Sequence, residues 1–251
     1  MKRTYLILFL VISGLLELSA QRIVSRTNSW RIGIMGSVDY SYRLIGYKTN
    51  EDISHELIKQ RDNETGLMGY TFGINASKNI LNDLGRLNIG LTYASRSFES
   101  YHNENFAQMD TLSHSRQEHV LFQFKLFQIP IRLDLYVKNK AKWGLYIPLG
   151  VSPSFLIENK VTDTYKYSDG TQIVANLGDA SYQYNHFNIS ATVGIGFDYH
   201  ISKLLVLWAQ PQFEYYIMNL TRNDYYWEKL YALSLNLGIA FKFGNRKLYH
   251  I

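Results

Sequence analysis

Residues 231–243 read Tyr-Ala-Leu-Ser-Leu-Asn-Leu-Gly-Ile-Ala-Phe-Lys-Phe, and every second side chain in this stretch is large and apolar. The side chains between them are Ala, Ser, Asn, Gly and Lys. Because successive side chains of a β-strand point to opposite faces, this period of two predicts a strand with one apolar and one polar face. The stretch decides the fold, since its pattern recurs along the rest of the chain.

The same alternation predicts further strands. Four stretches show it clearly, at 30–43, 68–78, 87–98 and 187–199. Three more apolar stretches complete the set, at 119–137, 143–158 and 204–220. The sequence therefore predicts eight strands, an even number.

The connections between these strands alternate in length. Long connections are expected at 44–66, 100–118, 159–186 and 221–229, and short ones at 79–86, 138–142 and 200–203. Short turns at one end and long loops at the other are typical of outer-membrane barrels. The pattern predicts an all-β fold, an eight-stranded antiparallel up-and-down transmembrane β-barrel with short periplasmic turns and long extracellular loops.

A soluble barrel or sandwich has the same periodicity, so the volume of the interior must separate the two classes. Eight strands enclose a space only just wide enough for side chains. The apolar phase contains many Tyr, Phe and Trp residues that cannot all fit inside, whereas the Gly, Ala, Ser, Thr and Asn of the other phase can. We therefore expect the apolar phase to face lipid.

The composition excludes several other classes of protein. The chain has 251 residues, of which 46% are apolar and 15% aromatic, with a formal charge of +5 and no cysteine. It is too apolar for a disordered chain, and it cannot be a disulfide-stabilised mini-protein, a cysteine-ligated zinc module or a thiol enzyme. No phosphate-binding glycine loop and no basic cluster indicates a cofactor or a nucleic acid.

Residues 1–20 have the layout of a secretory signal peptide. Two basic residues precede an apolar run at 5–16, and small residues precede the expected cleavage after Ala20. Residues 21–251 would then form the outer-membrane barrel domain. A transmembrane anchor is the alternative, but it needs about 18 to 20 apolar residues, and Glu17 interrupts the run.

The fourth predicted strand departs from regular alternation. Its apolar residues occupy even positions up to Leu126 and odd positions from Ile129 onward. One extra residue near 127–128 would restore the register, as a β-bulge does. Prolines within strands remove ladder donors, so we expect local bulges at them, with a gating role as the alternative. They are Pro130, Pro148, Pro153 and Pro211.

Charged residues of both signs occupy the polar phase, which would place them inside the barrel. They are Arg31, Asp39, Arg43, Arg96, Arg132, Asp134, Asp198, Glu214 and Lys242. Opposite charges in a narrow, partly dry interior must pair, because desolvation of a lone charge is costly. We expect a structural lumen network that joins Arg96 to Arg132, Asp134, Asp198 and Glu214. An ion pathway, and therefore a small channel, is the alternative.

Small barrels can also be lipid-modifying hydrolases, which need a histidine-activated serine. His200 and Ser202 have a suitable spacing, but they fall at a predicted periplasmic turn. His114 lies between two serines in a predicted outer loop, where adjacent residues have no fixed geometry. The sequence therefore favours a non-enzymatic protein without catalytic, metal or cofactor residues, and an outer-membrane hydrolase is the alternative.

Short motifs resemble a known family. Leu-Ser-Ala-Gln at 18–21 spans the predicted cleavage site, and 127–136 reads Phe-Gln-Ile-Pro-Ile-Arg-Leu-Asp-Leu-Tyr before a short turn and a glycine-bearing strand at 143–155. Together they resemble the PorT-like family of small outer-membrane β-barrels, although Gly-Val-Ser-Pro at 150–153 is looser than the Gly-Pro motif of that family. The resemblance implies an integral outer-membrane barrel, and the name-giving member is implicated in protein secretion. It supplies no catalytic or ligand residues.

These observations predict a protein of the cell outer membrane, exported through its signal peptide, with a structural or interaction role in outer-membrane assembly or protein secretion. Long strands at 118–137 and 143–159 would rise above the membrane and support the outer loops. The expected partners are outer-membrane lipid and other outer-membrane or secretion-machinery proteins, bound through loops 100–118 and 159–186.

Overall fold

The computed structural model describes residues 29–47, 64–80, 84–104, 116–167, 169–179, 183–222 and 226–244. These residues form one antiparallel sheet of eleven strands. The strands are β1 Trp30–Tyr47, β2 Glu64–Ile80, β3 Gly85–Glu104, β4 Arg116–Gln128, β5 Ile131–Asn139, β6 Trp143–Tyr167, β7 Gln172–Asp179, β8 Phe187–Gly194, β9 Gly196–His200, β10 Leu205–Tyr216 and β11 Tyr226–Phe243. The predicted signal peptide lies outside the described residues. Within the described part of the chain, no helix is both long and apolar enough to span a membrane.

The sheet closes on itself into a barrel of eight strand positions. β1 pairs with β11 over its whole length, so the first and last strands join. β4 and β5 together fill one position between β3 and β6, and β8 and β9 together fill another between β6 and β10. β7 lies outside this ring and, among the described strands, pairs with β6. The eight-stranded antiparallel barrel expected from the sequence is confirmed.

The two phases of the strands face the sides expected from their composition. On β11, Leu235 is 48% exposed on the outside of the barrel, whereas its neighbour Asn236 is 1% exposed on the inside. The same division holds on β1, where Ile34 faces outward and Asp39 is buried. A continuous apolar outer surface around a polar interior is the arrangement that lipid requires.

The height of the apolar outer surface can be measured on β4 and β5. Above it, Lys125 Nζ donates to Glu158 Oε2 at 2.5 Å, and this hydrogen bond lowers the pKa of Glu158, so both groups remain charged at neutral pH. Below it, Lys138 is exposed beside the Trp143 ring. The stretch 127–137 between them is long enough, when tilted, to cross an apolar band about 25 Å tall.

Several strands extend into regions predicted to be loops. β1 reaches Tyr47 and β2 begins at Glu64, so both enter the predicted loop 44–66. The ladder between β4 and β6 continues up to the pair Arg116–Tyr167, and β7 follows within the predicted loop 159–186. Hydrogen bonds between neighbouring strands satisfy the backbone N–H and C=O groups without contacts to lipid or loops. The sheet can therefore continue above the membrane.

The bulge expected near 127–128 was placed in the wrong strand. β4 and β5 keep one register against β3 across this region, and Phe124, Leu126 and Arg132 all point inward. The extra residue is Ile157 in β6, where the partner of Lys125 is Glu158 but the partner of Leu126 is Leu156. Two of the apolar even positions of β4, Phe124 and Leu126, belong to a buried apolar layer, and the alternation of polarity alone could not reveal this.

The prolines interrupt the ladder without shifting its register. The break between β4 and β5 contains Pro130 and lies opposite Pro153, and the break between β8 and β9 lies opposite Pro211. Pro148 pairs with Asp134 in an unshifted stretch of ladder. The expectation of a bulge at each proline was therefore wrong, because a missing N–H removes one hydrogen bond without adding a residue.

Candidate functional site

The interior of the barrel contains buried ion pairs, and two of them are formed by Arg96 on β3. Its Nη2 donates to Glu214 Oε2 at 2.9 Å, and its Nη1 contacts Asp39 on β1. β3 and β10 are four positions apart in the ring, so the Arg96–Glu214 pair spans the full width of the lumen.

Both carboxylates around Arg96 receive further hydrogen bonds. Glu214 Oε1 accepts from Gln128 Nε2 at 2.9 Å and from Ser190 Oγ at 2.6 Å. Asp39 accepts from Thr71 Oγ1 and from Ser37 Oγ, each at 2.6 Å. Such saturation is what keeps a buried ion pair stable. We call this group the middle cluster; its members are Ser37, Asp39, Thr71, Arg96, Gln128, Ser190 and Glu214.

A second group, the lower cluster, lies toward the short turns. Arg86 donates from Nη1 to Asp198 Oδ2 at 2.6 Å and forms an ion pair with Asp134 through Nη2 at 2.7 Å. Asp198 also accepts from Arg31 at 2.6 Å and from the Tyr136 hydroxyl at 2.7 Å. The members of the lower cluster are all buried; they are Arg31, Arg86, Asp134, Tyr136 and Asp198.

Aromatic rings fill the space around the lower cluster. The Arg86 guanidinium lies 4.7 Å from the Tyr146 ring centre and 5.5 Å from that of Tyr136. Arg132 is buried and lies over the Trp208 ring at 5.9 Å. Cation–π contacts of this kind stabilise a desolvated guanidinium without a counter-ion.

A third group, the upper cluster, lies toward the long loops. Arg43 contacts the carboxylates of Glu64 and Glu228, which come from the two strands that flank β1. Its guanidinium also covers the Phe98 ring at 4.5 Å and the Phe122 ring at 5.3 Å. The upper cluster therefore sits on an apolar surface.

That surface is a buried apolar layer between the middle and upper clusters. Phe124 packs in this layer against Phe98, with ring centres 5.7 Å apart, and against Tyr184 at 5.0 Å. Tyr216 links the layer to the middle cluster, because its hydroxyl accepts from Gln128 at 2.9 Å. The members of the apolar layer are Ala94, Phe98, Phe124, Leu126, Leu156, Tyr184, Tyr216, Leu220 and Leu230.

The five residues expected to form one lumen network are all buried, but they lie in different groups. Arg96 and Glu214 pair directly. Asp134 and Asp198 pair with Arg86 rather than with Arg96. Arg132 contacts Trp208, and the described residues include no acidic partner for it.

Sequence reasoning missed four buried charged residues, one of which, Asp163 on β6, falls in the predicted loop 159–186. Arg86, Glu64 and Glu228 fall in stretches that the spacing predicted to be connections, at 79–86, 44–66 and 221–229. The alternation of the flanking strands, extended by a few residues, would have placed Arg86 on the inward phase of β3. No local signal identifies Glu64 and Glu228, because their partner Arg43 lies on a different strand from each.

The candidate hydrolase residues do not assemble into a site. Ser202 Oγ accepts from the backbone N–H groups of Leu204 and Leu205, at 3.2 and 3.0 Å, and so caps the turn before β10. His114 lies outside the described residues. At the long-loop end of the barrel, His119 Nε2 lies 2.8 Å from Glu99 Oε2, and the histidine ring stacks on Tyr101. Within the described ranges, no three His, Asp or Glu side chains are placed to hold a metal ion.

The interior is therefore filled from the short turns to the long loops by ion pairs, aromatic rings and an apolar layer. Guanidinium groups held by two carboxylates each cannot move without stranding a buried charge. This arrangement fixes strands on opposite sides of the barrel to one another. Contacts with other molecules must therefore be made by the outer surfaces and by the strands that project beyond the lipid.

Comparison with known proteins gives one family match. A family model described as an outer membrane protein beta-barrel domain matches residues 19–225. No curated protein sequence matches the chain.

Solved structures of similar fold are distant. Neisserial surface protein A (NspA) is 12% identical, with 85% of this chain and 97% of that chain covered at a TM-score of 0.45. Ail, the attachment invasion locus protein of Yersinia pestis, is 13% identical, with 86% and 99% covered at a TM-score of 0.38. The outer membrane protease OmpT of Escherichia coli is 10% identical, with 90% and 100% covered at a TM-score of 0.34. Likenesses this distant carry no information about function.

Proposed function

Because this chain belongs to the outer-membrane protein β-barrel domain family, we propose that it is a non-enzymatic component of the outer membrane that holds another protein at the cell surface, in outer-membrane assembly or in secretion. The family places the barrel in the outer membrane. The short turns then face the periplasm and the long-loop end faces outward, as in other barrels of this class.

The observation that carries the proposal is a ridge of paired strands above the apolar outer surface. Beyond the Lys125–Glu158 pair, β4 and β6 continue side by side to Arg116 and Tyr167. β3 flanks them on one side and β7 on the other. A four-stranded sheet standing in water beside the membrane is a rigid base for binding another protein.

β7 is the part of the ridge best suited to contact a partner. Ile173 is 49% exposed and its neighbour Val174 is 55% exposed. Adjacent residues of a strand point to opposite faces, so the described residues cover neither face of β7 at this point. An extended partner segment can add to such an edge through backbone hydrogen bonds and can cover these apolar side chains.

The resemblance to the PorT-like family also supports a role in secretion. The two proline motifs that carry the resemblance lie side by side, since Ile129 N–H donates to the carbonyl oxygen of Pro153 at 2.9 Å. They therefore form one structural unit of adjacent strands. We propose that the chain belongs to this narrower PorT-like family.

The packed interior speaks against the two alternatives. A small channel needs a continuous aqueous path, whereas three charged clusters and an apolar layer occupy the lumen. A lipid-modifying hydrolase needs a serine, a base and an orienting group together on the outward side. Of the two serine–histidine pairings weighed above, the described one has its serine engaged in a turn at the short-turn end.

The test is site-specific cross-linking in intact membranes. A photoreactive residue at Ile173 should cross-link the same protein reproducibly, whereas one at lipid-facing Leu235 should not. A variant in which 165–176 is replaced by a short Gly-Ser turn keeps Tyr184 and the apolar layer. It should fold as a barrel but lose the partner and the secretion or assembly function.

Two results would overturn the proposal. One is the absence of any protein cross-linked through Ile173, and the other is full function of the Gly-Ser variant. Altered acylation of outer-membrane lipid after deletion of the gene, together with either result, would favour the hydrolase.

A further inference from the structure

Among the described residues of the short-turn end, the charges that reach the surface are all positive. Besides Lys242 on the inward phase of β11, five lysines lie there, at the end of β2, in and beside the β5–β6 turn, and in the β9–β10 turn. They are Lys78, Lys138, Lys140, Lys142 and Lys203, which we call the lysine collar. The acidic residues described at this end are Asp134 and Asp198, and both are fully buried.

The buried acids do not offset the charge of the collar. Asp134 forms an ion pair with Arg86, and Asp198 forms ion pairs with Arg86 and Arg31. The described short-turn end is therefore positive on its rim, because the charges in the interior behind it balance one another.

Two tryptophans fix the position of the collar relative to the membrane. Lys138 Nζ and Lys140 Nζ lie 5.6 and 5.5 Å from the centre of the Trp143 ring. Lys78 Nζ lies 5.1 Å from that of Trp30, the residue with which it pairs across β1 and β2. Tryptophan rings at the ends of membrane strands lie at the level of lipid headgroups. The ammonium groups over them therefore lie at the same level.

Backbone hydrogen bonds hold the lysines of the β5–β6 turn in place. Lys140 N–H donates to the carbonyl oxygen of Trp143 at 2.8 Å, and the carbonyl oxygen of Lys142 accepts from His200 N–H at 2.8 Å. Trp143 itself stacks on Phe197, with ring centres 6.1 Å apart. The turn is thus fixed to the neighbouring strand, so its lysines are presented from a rigid base.

From this geometry we infer that the lysine collar binds the phosphate groups of anionic phospholipids in the inner leaflet of the outer membrane. An ammonium group over an interfacial tryptophan can reach a headgroup phosphate while its aliphatic stem stays against the ring. Each lysine near an anionic lipid surface contributes a favourable interaction that salt screens. The collar therefore favours negatively charged lipids in the inner leaflet of the outer membrane. This binding does not depend on the protein partner proposed for the ridge.

The test uses the full-length mature barrel in detergent, with equal amounts of phosphatidylglycerol and phosphatidylcholine of identical acyl chains. Native mass spectrometry counts the retained molecules of each lipid. We expect phosphatidylglycerol to be retained in excess over phosphatidylcholine. The variant Lys138→Gln/Lys140→Gln should lower that excess by about fivefold for each lysine removed.

The matched control removes the same charge from the other end of the molecule. Lys160→Gln/Lys166→Gln changes two exposed lysines of the ridge, and it should leave the lipid excess unchanged. All four substitutions are at exposed positions, and a heat-dependent gel shift confirms that each variant is folded.

Three outcomes would overturn the inference. They are equal retention of the two lipids by the wild type, an unchanged excess in Lys138→Gln/Lys140→Gln, and an equal loss in the ridge variant. Equal retention of the two lipids would point to an acidic periplasmic protein as the occupant of the collar.

Discussion

Arg96 on β3 and Glu214 on β10 stand at opposite positions of the eight-strand ring, and their side chains meet across the lumen at 2.9 Å. The pair acts as a cross-brace, because backbone hydrogen bonds join each strand only to its neighbours in the ring. Removing either partner leaves the other charge buried. Loss of this contact should therefore lower the stability of the barrel strongly.

Replacing Glu214 by Ala should lower the free energy of unfolding by about 3–5 kcal/mol, because Arg96 would lose one of its two carboxylates in a dry interior. Urea unfolding in lipid or detergent, followed by gel mobility, measures the change. The matched control is Glu158→Ala, which removes a partly exposed carboxylate from its pairs with Lys125 and Lys160 and should change the unfolding midpoint little. Equal midpoints for the two variants would refute the cross-brace.

The apolar layer should contribute through packing rather than charge. Phe124→Ala should destabilise the barrel by about 3–5 kcal/mol, as expected for a buried aromatic side chain. Phe127→Ala, three residues along on the lipid-facing side, leaves no internal cavity and should cost clearly less. If the two substitutions cost the same, Phe124 does not occupy a packed interior.

The lipid-facing surface can be tested with a single positive charge. Leu235→Lys should cost about 2–4 kcal/mol, because Leu235 lies in the middle of the outward apolar phase of β11. Ile173→Lys changes a similarly exposed apolar residue on β7, but in water above the membrane, and its cost should be small. A small cost at both sites would mean that Leu235 does not face lipid.

The filled interior predicts that the protein does not conduct ions across a bilayer. In planar bilayers, the wild-type protein should give no stable conductance steps, because ion pairs and the apolar layer block the lumen. A gel shift on heating confirms that the sample is folded, and a porin in the same bilayer serves as the positive control. Reproducible steps that Glu214→Ala abolishes would favour the channel.

The fold could be predicted from the sequence because strand alternation is a local property. On β11 and β1, the size and polarity of each side chain and of its immediate neighbours indicate whether the residue faces lipid or the lumen. Closure of the ring and the number of strand positions then followed from the count of alternating stretches.

The contents of the lumen could be predicted only in part, because ion pairs join strands that are distant in sequence. Arg86 and Asp198 are 112 residues apart, and Arg43 and Glu228 are 185 apart. The inward phase identified Asp198 as an interior charge but could not name its partner. The apolar layer was missed for a related reason, since a large apolar residue such as Phe124 has the same local appearance whether it faces lipid or a buried core.

The central claim is that the barrel spans the outer membrane with its ridge outside and its lysine collar at the periplasmic face of the membrane, and single cysteines test it most directly. The chain contains no cysteine, so Ile173→Cys, Lys140→Cys and Leu235→Cys each introduce one thiol. A bulky, membrane-impermeant maleimide should label Ile173→Cys in intact cells and Lys140→Cys only after the outer membrane is permeabilised. Leu235→Cys should stay unlabelled until the protein is denatured. Labelling of Lys140→Cys in intact cells, or of Leu235→Cys in the folded protein, would contradict the account.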